Sequence, residues 1–245
     1  MKGEILVMAY DVMVFSAHPD DAEVQMGGTI VKLVRKGLRV LLVDLCEGEP
    51  ADFAEPGVRH QQAMRAAEIL QVDRIILGLQ DRLIQDTVET RLQLTRLICE
   101  HRPRWVFGTA EACIHPDHAI MEPLLTAAVF FARLKNWDRV PGAEVLADVE
   151  PWEIERLFFP HCKMEPAWGK FDFAVDVSDT YEIKQQALAQ YRSIFEEQGD
   201  RLLALYEAED LHMGRLIGGQ YAEVFKSRAP LVVEDPTVFS PAPHG

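Results

Sequence analysis

The chain has 245 residues, a length that suits one large domain or one domain with an appended lobe. Hydrophobic residues make up 48% and charged residues 26%, ordinary globular proportions that support a buried core and exclude global disorder. The net charge of −14 repels phosphate, which excludes nucleic acid and anionic membrane surfaces as expected partners.

The N-terminal apolar residues run straight into a polar motif, so they read as a first strand and not as a signal peptide. No apolar run approaches the roughly 20 residues needed to span a bilayer. Cys46, Cys99, Cys113 and Cys162 are scattered without a C-x-x-C pair, which suits reduced thiols. A soluble, cytoplasmic protein is expected.

Asp11–Ser16 (DVMVFS) reads as a buried strand. Ile30, Val31, Leu33 and Val34 share a helical face, and Gly37 suits the helix end. Leu38–Leu45 predicts a second strand, Arg59–Leu70 a helix, Arg74–Leu79 a third strand, and Thr87–His101 a helix stopped by Pro103. Arg104–Gly108 predicts a fourth strand and His118–Leu134 another helix. Residues 136–151 read as a connection that leaves the core. Trp152–Pro160 and Phe171–Val177 read as strands, Tyr181–Tyr206 as a long helix broken near Gly199, and the Pro-rich tail from Pro236 as loose. The βαβα order predicts an α/β fold: a Rossmann-like, mostly parallel sheet flanked by helices, with a smaller C-terminal α+β lobe. The expected division is 1–135 for the core, 136–235 for the lobe and 236–245 for the tail.

Two motifs carry chemistry. His18-Pro19-Asp20-Asp21-Ala22-Glu23 follows the first strand, and His115-Pro116-Asp117-His118 follows the fourth after a short loop. Ligands in open α/β sheets bind at the carboxyl ends of strands, so both clusters are expected to converge at one sheet edge. Imidazole and carboxylate are normal zinc ligands, and catalytic zinc keeps three protein ligands with one open position. His18, Asp21 and His118 would supply that set. Asp20 beside them is placed as the base that takes a proton from water. His115 is expected as a cation that stabilises an oxyanion and protonates the leaving amine, with Asp117 orienting its ring.

These residues, with Met26-Gly27-Gly28-Thr29, resemble the PIG-L/LmbE-like zinc de-N-acetylases over nearly the whole chain. The resemblance implies a hydrolase that removes the acetyl group from an N-acetylglucosamine-type substrate. It gives the same metal set of His18, Asp21 and His118, Asp20 as base and His115 as polarising group. It also implies that Arg59 touches the sugar and that Asp81 meets a sugar hydroxyl. Late segments, Phe171-Asp172-Phe173, Tyr191-Arg192-Ser193 and Gly219–Phe225, resemble the bacillithiol-pathway branch. Members of that branch deacetylate N-acetylglucosaminyl malate and form hexamers, so self-assembly is expected by resemblance. The chain departs from the family at Gln25, Cys46, Gln62 and Ile194. None of these is a metal ligand, but they bear on the substrate.

Three other readings compete. A zinc hydrolase of another amide or an ester would share the metal set, and a His₂Asp site also accepts other divalent ions. Asp44 at the end of the second strand imitates the ribose-binding acid of a nucleotide-binding sheet, but the first strand is followed by carboxylates and not by G-x-G-x-x-G. A non-catalytic metal- or sugar-binding module would not need Asp20 and His115. For either motif alone, the bland reading is a turn whose Asp caps the next helix.

Overall fold

The computed structural model describes residues 10–49, 55–109, 114–163, 171–191, 200–233 and 235. The strands are β1 (Val12–Ser16), β2 (Val40–Cys46), β3 (Asp73–Leu79), β4 (Trp105–Gly108), β5 (Arg156–Pro160), β6 (Phe173–Asp176) and β7 (Ala222–Ser227). The helices are α1 (Asp21–Arg35), α2 (Val58–Leu70), α3 (Val88–His101), α4 (Pro116–Ala119), α5 (Met121–Ala132), α6 (Tyr181–Leu188) and α7 (Asp200–Ile217). Cys113, the expected break near Gly199, Arg192, Ser193, Ile194 and the tail from Pro236 lie outside the described residues.

Among the described residues, seven strands form one sheet in the order β3-β2-β1-β4-β5-β7-β6. The first five pair in parallel, and β7 and β6 extend the sheet antiparallel. The expected α/β fold is therefore present. The strands of residues 136–235 complete this same sheet. Alternation in β1 shows why both faces need covering. Val12 and Val14 pack with Ile30 and Leu42 on one face, while Met13 and Phe15 pack with Leu41 and Leu124 on the other. The chain order reverses between β1 and β4, which opens a crevice at their carboxyl ends.

Several boundaries differ from the sequence reading. The helix expected over His118–Leu134 is two helices, α4 and α5, with Ile120 between them. Residues 136–151 do not leave the core: two short 3₁₀ turns bury Ala143 and Leu146 against Leu92 of α3. The strand β7 was not predicted, because Glu223 interrupts its apolar pattern on a buried face.

Helix α1 is itself broken. Met26 has non-helical angles (φ −147°, ψ 24°), and the backbone amides of Gly28 and Thr29 beyond it donate to the Glu223 carboxylate at 3.0 and 2.7 Å. Glu223 thereby caps the second half of α1, where a carboxylate meets the positive end of the helix dipole. Close packing fixes Gly28, because a Cβ there would stand 2.6 Å from Cβ of Val177.

A second buried carboxylate pair sits under the first half. Arg74 of β3 donates to Asp44 of β2 at 2.5 and 3.1 Å and to Glu23 of α1 at 2.6 and 3.3 Å. The Tyr191 hydroxyl completes the cluster, 2.9 Å from Arg74 and 2.8 Å from Glu23. Removing one partner of a buried charge pair typically costs about 3–5 kcal/mol, because the other charge is left uncompensated. Arg74→Met is expected to destabilise the fold by at least that amount, about 3–5 kcal/mol. The check is the urea midpoint at an unchanged slope against the parent protein.

Candidate active site

The carboxyl ends of β1 and β4 deliver the two motifs to one place. His18 follows β1 directly, and His115 and His118 flank the start of α4. Nδ1 of His18 lies 3.1 Å from Nε2 of His118. The Asp21 carboxylate spans both rings, with Oδ1 3.1 Å from Nε2 of His118 and Oδ2 3.6 Å from Nδ1 of His18. Donors about 2.0–2.1 Å from a tetrahedral zinc stand about 3.3 Å apart, so His18, Asp21 and His118 have the separations that a metal ion needs. His115 also brings a ring nitrogen within 4.8 Å of the other two histidines and is the alternative third ligand.

The far edge of the His18 ring is fixed by two carboxylates. Nε2 lies 3.0 Å from Oδ1 of Asp81 and 3.1 Å from Oδ2 of Asp117. Acceptors on that side keep the proton on Nε2 and turn the Nδ1 lone pair toward Asp21 and His118. Burial lowers the His18 pKa, but Asp21 and Asp81 outweigh it and lift the group to about 10. The same field favours a cation at Nδ1, whether a proton or a metal ion. Asp21, despite burial, is held well below the usual carboxylate range by His118 and His18.

Asp20 has φ 105° and ψ −28°, a sparsely populated conformation for a residue with a side chain. Such strain costs on the order of 1–3 kcal/mol and clusters at functional sites. Its side chain does not cap α1. It accepts from Arg59 at 2.9 Å, and burial lifts it to about 6 against the pull of that guanidinium. Arg59 also donates to the carbonyls of Pro19 at 3.0 Å and Gly48 at 3.2 Å. Gly48 (φ 67°) makes room, since a Cβ there would stand 2.5 Å from the guanidinium carbon.

The contacts place the remaining expected residues. The Asp117 carboxylate holds His18 and the Arg82 amide (2.8 Å), and it is the Asp117 backbone N–H, 3.3 Å from Nδ1, that orients His115. The reason is local: His115 precedes the first turn of α4, and its ring caps that turn. Burial and the neighbouring His118 and His18 push His115 below its ordinary value, a direction that disfavours the expected cation. Asp81 and Arg59, expected on the sugar, bind His18 and Asp20, although both also line the cavity. Asp44 is consumed by Arg74, which removes the ribose-binding reading. Burial pushes the Cys46 thiol up to about 12 and keeps it protonated, with Ala17 O accepting from its sulfur at 3.2 Å.

The cluster opens into a cavity of about 360 Å³, lined also by Gln25, Lys163, Leu202 and Tyr206. The sequence reading missed Lys163 and Tyr206. The only signal for Lys163 was its place just past the carboxyl end of a buried strand.

Residues 13–129 match the family model described as PIG-L, GlcNAc-PI de-N-acetylase. A diacetylchitobiose deacetylase from Thermococcus kodakarensis is 30% identical over 224 residues, covering 86% of this chain and 80% of the relative. The chain belongs to the PIG-L family. Among solved structures, the conserved protein TT1542 from Thermus thermophilus superposes with a TM-score of 0.82 at 33% identity, over 93% of this chain and 98% of that one. The N,N'-diacetylchitobiose deacetylase from Pyrococcus horikoshii shares the fold, with a TM-score of 0.78 at 24% identity over 89% and 84% of the two chains.

The two possible ligand sets of this PIG-L family member make different predictions for metal content. His18→Ala, Asp21→Ala and His118→Ala are each expected to lose a bound divalent ion, while His115→Ala keeps it. Elemental analysis after dialysis checks this, and loss of the ion from His115→Ala with retention in Asp21→Ala would reverse the assignment.

Proposed function

We propose that the protein is a metal-dependent N-deacetylase that converts an N-acetylglucosamine-type sugar to acetate and a free amine. The observation that carries the reading is the convergence of His18, Asp21 and His118 beside a further carboxylate, Asp20, held by Arg59, in a chain of the PIG-L family. Zinc held by His18, Asp21 and His118 would supply Lewis-acid polarisation and make water a stronger acid.

The chain's own residues account for the proton movements. Arg59 holds Asp20 against the cavity, and Asp20 takes a proton from the attacking water as oxygen adds to the acetamide carbon. With Nδ1 of His115 accepting from Asp117 N–H, its proton sits on Nε2, where it can donate to the developing oxyanion as a neutral imidazole. Asp20 then returns the proton to the amine nitrogen as the carbon–nitrogen bond breaks. One water is consumed, and acetate and amine leave.

The relative's name places diacetylchitobiose on the test panel, and the late segments place N-acetylglucosaminyl malate beside it. Acetate release is measured for both and for free N-acetylglucosamine, with the protein as purified, chelated and zinc-restored. Release that stops on chelation and returns with zinc is expected. Metal-loaded protein that releases no acetate from any of them would sink the reading and favour a hydrolase of another amide or ester. Asp20→Asn is expected to keep the metal and lose roughly 10²–10⁴-fold in kcat.

A further inference from the structure

We propose that Lys163 recognises the group attached to the amino sugar by donating hydrogen bonds to its oxygen atoms, a role that rests on the sugar-deacetylase reading above. Lys163 lies just beyond the carboxyl end of β5 and lines the same cavity as His18 and Asp20. Strand order puts it across the crevice from Arg59 and Asp81, which follow β2 and β3 on the other side of β1. A substrate with its acetamide at the histidines therefore has Arg59 and Asp81 on one flank and Lys163 on the other.

The ammonium is built into place. Its side chain is only 4% exposed, and one oxygen of Asp210 accepts from it. The other Asp210 oxygen accepts from Lys184 at 2.8 Å, and Lys184 in turn donates to Glu223 at 2.7 Å. Glu223 is pinned by the amides of Gly28 and Thr29, so the chain of charges ends in the backbone of α1. An ammonium has three donors, and among the described residues Asp210 is the one partner of Lys163. Among the described residues no second acceptor meets the remaining donors, and burial penalises a donor left without one. Burial accordingly pulls Lys163 down to about 8, with Asp210 opposing. An oxygen acceptor supplied by the substrate relieves that cost. A sugar hydroxyl and a carboxylate both meet the requirement, whereas a methyl group does not.

The test compares zinc-loaded wild type with Lys163→Met and Lys163→Arg on three glycosides. These are methyl N-acetylglucosaminide, diacetylchitobiose and a carboxylate-bearing N-acetylglucosaminide. Acetate release gives kcat and KM, and titration calorimetry in an Asp20→Asn background gives Kd. Lys163→Met is expected to raise KM and Kd about tenfold for at least one extended glycoside, leaving its kcat within about twofold and the methyl glycoside unchanged. The arm that loses more identifies a neutral or an acidic attached group. Lys163→Arg keeps the charge on Asp210 but moves the donors, and is expected to reduce the same discrimination. Equal losses on all three glycosides, or none, overturn the proposal, as does calorimetry in which no glycoside binds. If nothing is turned over but extended glycosides bind through Lys163, the deacetylase reading fails while the recognition role stands.

Discussion

The site depends on which nitrogen of His18 carries a proton. Asp81 and Asp117 both face Nε2, and only with the proton there does Nδ1 present a lone pair to the space shared with Asp21 and His118. Those acids come from different parts of the fold, one after β3 and the other in α4, while the ring they fix follows β1. The sheet order brings all three to one edge, so the tautomer of a single imidazole is set by tertiary structure. Arg82 N–H holds the Asp117 carboxylate in turn. A loosened β3 loop would therefore disturb the His18 ring without touching it.

That precision needs a rigid α1, which carries Asp21 and follows Asp20. Two buried charge clusters hold it from below. Arg74 ties Glu23 in its first turn to β2 and β3, and Glu223 caps the half beyond Met26 from β7. Buried ion pairs contribute little net stability compared with a well-packed apolar core, but they specify one arrangement because any other leaves charges unpaired. Here that arrangement joins the late strands to the helix that begins at the Asp20-Asp21 pair. Residues 136–235 thus complete the sheet and also pin α1.

Much of the fold was legible because apolar runs of five to seven residues alternated with helical stripes. All five parallel strands, and the helices α2 and α3, were anticipated to within a few residues. The convergence of the two His/Asp motifs was legible for the same reason, since strand ends in a parallel sheet share an edge. Partner choice within the site was not. Nothing in the spacing tells that the carboxylate of Asp117 reaches past its own motif to His18, or that Arg59 folds back over Gly48 to meet Asp20. Those pairings depend on loop paths, which have no periodicity. Strand β7 and Lys163 were hidden differently, because each buries a charged residue whose partner lies far away in sequence.

The adjacent pair Asp20 and Asp21 shows how one backbone residue divides two roles. Asp20, at positive φ, meets Arg59, while Asp21 begins α1 and faces both rings. Their acidities separate accordingly: Asp21 is pushed down by His118 and His18, and Asp20 is raised to about 6 by burial. Two acids driven apart by their surroundings can act differently at one pH, one as a permanent anion suited to a metal and the other as a carboxylate able to accept and return a proton. The separation comes from what each carboxylate meets: buried surroundings and Arg59 for Asp20, two imidazoles for Asp21.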